Sequence, residues 1–132
     1  MGIKVIRDLS GSMKHQVHVR QHTFMADVDE AGGGEDAGPS PHDLYDASLG
    51  ACKALTVLWY AKRKGIPVED VEVEIERDSI LEQKGTYRLK ALLKLSGSLS
   101  DAQRNELLYV ASKCPVHKLM TTVTTEIETV LA

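Results

Sequence analysis

No apolar run in this sequence approaches the length of a membrane-spanning helix. The first residues, "MGIKVIRDLSG", carry no extended apolar segment either, so nothing reads as a secretory signal and the expected address is the cytosol. Positive charge is not in excess. Sixteen Lys and Arg stand against 19 Asp and Glu, a net charge of −3, which argues against nucleic acid or an acidic membrane as a partner. Aromatics are few, at 5%, within a composition that is 42% hydrophobic and 27% charged, as in a soluble globular protein. At 132 residues the chain is expected to form one domain with a modest core. Cysteine is the last scarcity: Cys52 and Cys114 are the only two, 62 positions apart. A cytosolic protein seldom uses such a pair as a permanent staple, because its compartment keeps thiols reduced. The pair points toward chemistry or toward plain burial.

What is present is organised in three stretches. Residues 3–28 hold short alternating segments, "IKVIRD", "QVHVR" and "TFMADV", which predict a meander of strands. The histidines among them, His15, His18 and His22, fall on polar hairpin positions and are expected at the surface. "DEAGGGEDAGPSP", thirteen residues over 29–41, is rich in glycine, proline and acid and predicts a loop. A loop of that length suggests a functional role or a crossing toward a partner subunit. Ser40 then fits a helix N-cap, Pro41 the first helical position and Asp43 the capping-box acid. The helix so begun ends before Gly65, with Lys62, Arg63 and Lys64 at its negative end. Tyr45, Ser48, Cys52, Leu55 and Trp59 form one stripe along it, widened by Leu44, Ala47, Ala51, Ala54, Leu58 and Ala61, which predicts burial on two sides.

Beyond Gly65, "VEVEIERD" puts Val71, Val73 and Ile75 on one face and glutamates on the other. "TYRLKALLKL" alternates likewise with Arg88, Lys90 and Lys94 outward, so the two segments are expected to pair antiparallel with complementary charge. "SLSDAQRNELLYVASK" reads as a helix capped by Ser100 and Gln103. Pro115 disfavours helix at Cys114 and starts another, "PVHKLMTTV". "TTEIETVLA" is read as a final strand. The expected order is β-β-β-α-β-β-α-α-β, an α+β fold.

The two cysteines admit four readings: inert packing, a structural disulfide, metal ligands with His117 and His42, or two halves of one redox reaction. Local electrostatics favours Cys114 as the thiolate, at a helix N-cap beside Lys113, His117 and Lys118. Cys52 has only the adjacent Lys53 in its favour. Spacing does not choose among the four.

The motifs go further. The stretch from "HTFMADV" through "GPSP" and "LGAC" to "VEVEIERD" resembles the first two-thirds of proteins of the OsmC/Ohr family, the osmotically induced and organic-hydroperoxide-resistance proteins. "LSDAQRNELLYVASKCPVHKLM" resembles the family's second cysteine motif, so the likeness covers nearly everything beyond the first dozen residues. It implies an intertwined α+β homodimer, with two active sites at the subunit interface and the reactive cysteine on a long central helix. It also implies an organic hydroperoxide substrate and an external dithiol reductant, lipoyl or another thiol; no cofactor and no metal are expected. By that resemblance Cys52 is the peroxidatic thiol and Cys114 the resolving one. The peroxidase branches carry a glutamate ten residues before the first cysteine, where it orients an arginine against the thiolate. Here His42 holds that position, followed by Asp43, and Arg7 and Arg20 are the candidate arginines. Tyr45, Leu55 and Trp59, on the cysteine stripe, are candidates to line an apolar substrate pocket. The alternative is a non-catalytic small-molecule-binding or redox-sensing stress protein on the same scaffold.

Overall fold

The computed structural model describes residues 2–132, which divide into two compact units, one reaching residue 45 and the other 46–132. In the first unit, β1 (Ile3–Arg7), β2 (His15–Val19) and β3 (His22–Ala26) form an antiparallel sheet in sequence order. Val5, Val17 and Phe24 stand opposite one another across it, with Val17 buried. The β2–β3 connection is two residues long, and Arg20 takes a left-handed φ of 55° there, as a tight hairpin requires of its first central residue. Of the three histidines expected at the surface, His22 is exposed. His15 and His18 are half-buried, His15 against the Met13 carbonyl and His18 between Gln16 and Thr23.

The glycine-rich stretch is ordered by side-chain and backbone bonds rather than by apolar contact. The Asp27 carboxylate accepts the backbone N–H groups of Val28 (2.8 Å), Glu35 (3.2 Å) and Ala37 (3.0 Å). Gly38 lies against the Met25 carbonyl so closely that an added Cβ would come within 2.1 Å of the oxygen. Helix α1 (Pro41–Lys64) then opens with the capping box expected of it. Asp43 N–H donates to Ser40 Oγ (3.2 Å) and Ser40 N–H to Asp43 Oδ2 (3.0 Å).

In the second unit, β4 (Asp70–Asp78) and β5 (Arg88–Ser96) pair antiparallel, joined through a 3₁₀ turn at Glu82–Lys84. The register sets Glu72 opposite Lys94, Glu76 opposite Lys90 and Asp78 opposite Arg88, the charge complementarity that the alternation predicts. Helix α2 (Asp101–Ala111) carries both bonds of the Ser100–Gln103 capping box, and α3 (Pro115–Thr121) starts at Pro115 with Cys114 extended before it. The core is Val57 and Ala61 of α1 with Leu107 and Ala111 of α2, and Val71, Leu93 and Leu95 of the sheet pack against it.

Two expectations differ from this outcome. The buried stripe of α1 runs through Asp46, Leu49, Gly50, Lys53, Val57 and Ala61, whereas Leu55 (67% exposed) and Trp59 (59%) face outward. Hydropathy pointed to the other face because the buried one contains two charged residues, each provided with partners. Residues 124–132 form no strand: their alternation is real, but a strand exists only when paired, and they are exposed with no strand partner among the described residues. Among the described residues no helix is long and apolar enough to cross a membrane.

Candidate active site

Within the second unit the fold brings the two distant cysteines together. Cys52 is carried half-buried on α1, while Cys114 is wholly buried in the turn between α2 and α3, and both are free thiols. Contact with the Cys52 sulfur is among the influences on the Cys114 thiol. The backbone N–H of Val116, in the first turn of α3, is directed at Cys52 Sγ at 3.5 Å, and Thr56 Oγ1 lies 4.0 Å from the same sulfur. The sequence placed the α3 terminus beside Cys114; the fold also aims one of its free N–H groups at Cys52.

Cys114 also departs from its expected state. Burial pushes its thiol above the ordinary range, and contact with Cys52 acts the same way. The His117 backbone N–H and the Lys53 ammonium work against that rise without cancelling it. The helix-end argument for a Cys114 thiolate overlooked desolvation, which no local sequence pattern reveals.

Sequence reasoning noted Lys53 only as the neighbour of Cys52 and missed its place against the turn that carries Cys114. It is only 6% exposed, and its Nζ reaches the Ala111 carbonyl (2.8 Å) and His117 Nδ1 (3.0 Å). Burial, then Lys53, then Lys113 hold the His117 imidazole below its usual protonation range. An open groove of about 440 Å³ adjoins the imidazole, lined by Ser112, Lys113, His117, Lys118, Thr121 and Thr122. A second missed cluster clamps the sheet to α1: Arg77 Nε (2.5 Å) and the Tyr87 hydroxyl (2.8 and 3.0 Å) both donate to the buried Asp46 carboxylate. Burial, then Asp46, raises the Tyr87 phenol above its usual range.

The remaining candidates occupy defined places. Leu55 and Trp59 project from the exposed face of α1, where the Arg63 guanidinium covers the Trp59 ring at 4.7 Å. In the first unit, Arg7 is exposed and donates to the Ser12 carbonyl (3.2 Å), and Arg20 sits in the β2–β3 turn. His42, Asp43 and Tyr45 are exposed in the first turns of α1. Among the described residues no three His, Cys, Asp or Glu side chains converge as metal ligands would.

The family model for OsmC-like protein matches residues 32–129. A Psychrobacter arcticus protein assigned to the osmotic-stress and detoxification response superposes with a TM-score of 0.76 at 19% identity, over 91% of this chain and 88% of that one. An OsmC-like protein from Mycoplasma pneumoniae gives 0.72 at 18% identity, over 92% and 87%. An organic hydroperoxide resistance protein from Legionella pneumophila gives 0.67 at 20% identity, over 91% and 88%. No curated protein matches the chain.

Proposed function

This chain belongs to the OsmC-like protein family, and on that premise we propose that it is a thiol peroxidase reducing organic hydroperoxides through Cys52 and Cys114. The observation that supports the reading is the meeting of two free sulfurs 62 positions apart, with the Val116 N–H directed at the more accessible of them. The Cys52 thiolate attacks one peroxide oxygen and the O–O bond breaks. The alkoxide takes up a proton and leaves as the alcohol, while Cys52 becomes a sulfenic acid. The Cys114 sulfur then attacks the Cys52 sulfur and the S–O bond breaks. The departing hydroxide and the proton released by Cys114 leave as water, and a disulfide remains. The thiol pair has thus supplied the two electrons that reduced the peroxide. An external dithiol, lipoyl or of another kind, reopens the disulfide by exchange.

The remaining roles follow the same reading. Arg7 or Arg20 supplies positive charge to the attacking sulfur, with His42 or Asp43 orienting the guanidinium. Tyr45, Leu55 and Trp59 supply the apolar wall, and the site is completed in a homodimer. Leu55 and Trp59, large and exposed on the helix that carries Cys52, are the kind of surface a partner subunit covers.

Counting free thiols before and after one equivalent of cumene hydroperoxide tests the scheme. Both thiols are expected to disappear rapidly and to return with a dithiol, and Cys52→Ser is expected to abolish peroxide consumption. Two unreacted thiols, or undiminished turnover in Cys52→Ser, would sink the peroxidase and leave a binding protein.

A further inference from the structure

An ammonium is costly to bury unless it is paired, and a helix facing a hydrophobic core rarely places one there. Lys53 does so on the buried stripe of α1, and its hydrogen-bond partners are both neutral: the Ala111 carbonyl at the end of α2 and His117 Nδ1 in the first turn of α3. These two partners bracket the turn that carries Cys114. Lys53 therefore ties down both ends of that turn, and neither contact neutralises its charge.

The imidazole contact has a further consequence. An ammonium donates and cannot accept, so Nδ1 of His117 must be the unprotonated nitrogen and the ring proton must lie on Nε2. His117 lines the open groove, so the groove acquires a neutral imidazole whose tautomer is fixed by a buried cation.

We propose that Lys53 is a positioning residue for the second thiol: its buried ammonium holds His117 as the neutral tautomer protonated on Nε2 and supplies the positive charge against which the Cys114 sulfur ionises. Its use in closing the disulfide rests on the peroxidase reading above, whereas the charge and the tautomer stand apart from it. The titratable groups that act on Cys114 are Cys52 and Lys53, both from α1; those that act on His117 are Lys53 and, from the turn after α2, Lys113. The direction of each effect agrees. After the His117 backbone N–H, Lys53 opposes the rise that burial imposes on the Cys114 thiol, and after burial itself the same charge keeps a proton off His117.

Nuclear magnetic resonance on the full reduced chain tests this without any peroxide. The ¹⁵N shifts of His117 are expected to report a proton on Nε2 and none on Nδ1 at neutral pH. The ¹³Cβ shift of Cys114 is expected to titrate at higher pH in Lys53→Met than in the unsubstituted chain. His117 is expected to protonate at higher pH in that variant, and Lys53→Arg to restore the Cys114 titration. Should Lys53→Met fail to fold, Lys53→Gln gives the same comparison with a polar, uncharged side chain. A proton on Nδ1 of His117, or an unchanged Cys114 titration in either folded neutral variant, overturns the proposal. Dimedone trapping after cumene hydroperoxide then separates the two readings. Sulfenic acid at Cys52 that accumulates in Lys53→Met but not in the unsubstituted chain supports the role in disulfide closure. No oxidation in either protein removes the peroxidase reading, and the two titrations still decide Lys53.

Discussion

Among single residues, Asp27 shows how one carboxylate can organise a stretch that looks structureless. Composition marked residues 29–41 as a loop, and that was legible. The cradle was not, because it joins Asp27 to backbone amides eight and ten positions on, and such bonds leave no side-chain pattern. The Ala37 N–H is the largest cause holding the Asp27 carboxyl below its ordinary 3.8; burial opposes it, and the Val28 and Glu35 amides add to it. A depressed carboxyl stabilises the folded loop fully above the unfolded value and loses that contribution as pH falls through the folded one. Hydrogen exchange is therefore expected to show the Glu35 and Ala37 amides protected near neutral pH and released at acid pH below 3.8, with Asp27→Asn releasing them at every pH. Unchanged protection factors in that variant would refute the cradle. The left-handed Arg20 was equally hidden: its side chain drew notice as a charge, while its position in a two-residue turn depends on strand ends that sequence places only loosely.

Helix α1 displays the contrast between what an element's ends and its faces disclose. Both ends were readable, since caps and terminal charges are local chemistry that depends on a few adjacent residues. The face was not, because Asp46 and Lys53 occupy core positions that a hydropathy stripe assigns to solvent. Their partners, Arg77 and Tyr87 for one and Ala111 and His117 for the other, lie on elements tens of residues away. Asp46 fastens α1 to β4 and to the segment entering β5. Asp46→Asn removes the negative charge that Arg77 and Tyr87 share, and is expected to lower stability by about 1.5–3 kcal/mol, the worth of hydrogen bonds to a charged group. Urea unfolding followed by circular dichroism checks this. A midpoint that stays in place would mean solvent already satisfies these groups.

For the whole molecule, the α+β class and the order of all but the last element were legible, since alternation and helical spacing each persist over many residues. The homodimer enters only through the family resemblance, because no partner's surface is written in one chain's pattern. Residues 124–132, with Ile127, Val130 and Leu131 exposed, and the outward Leu55 and Trp59 leave large apolar side chains in solvent, the kind of surface that a second subunit covers. Sedimentation equilibrium is expected to give twice the mass of one chain, and Leu55→Glu with Trp59→Glu to shift it toward the single-chain value. A single-chain mass for the unsubstituted protein at micromolar concentration would remove the dimer. The uncancelled cation beneath His117 bears on engineering as well. An apolar side chain of similar volume is often the sturdier occupant of such a place. A campaign that selected variants for heat tolerance alone would be drawn to position 53, gaining robustness while discarding the tuning of the nearby sulfur.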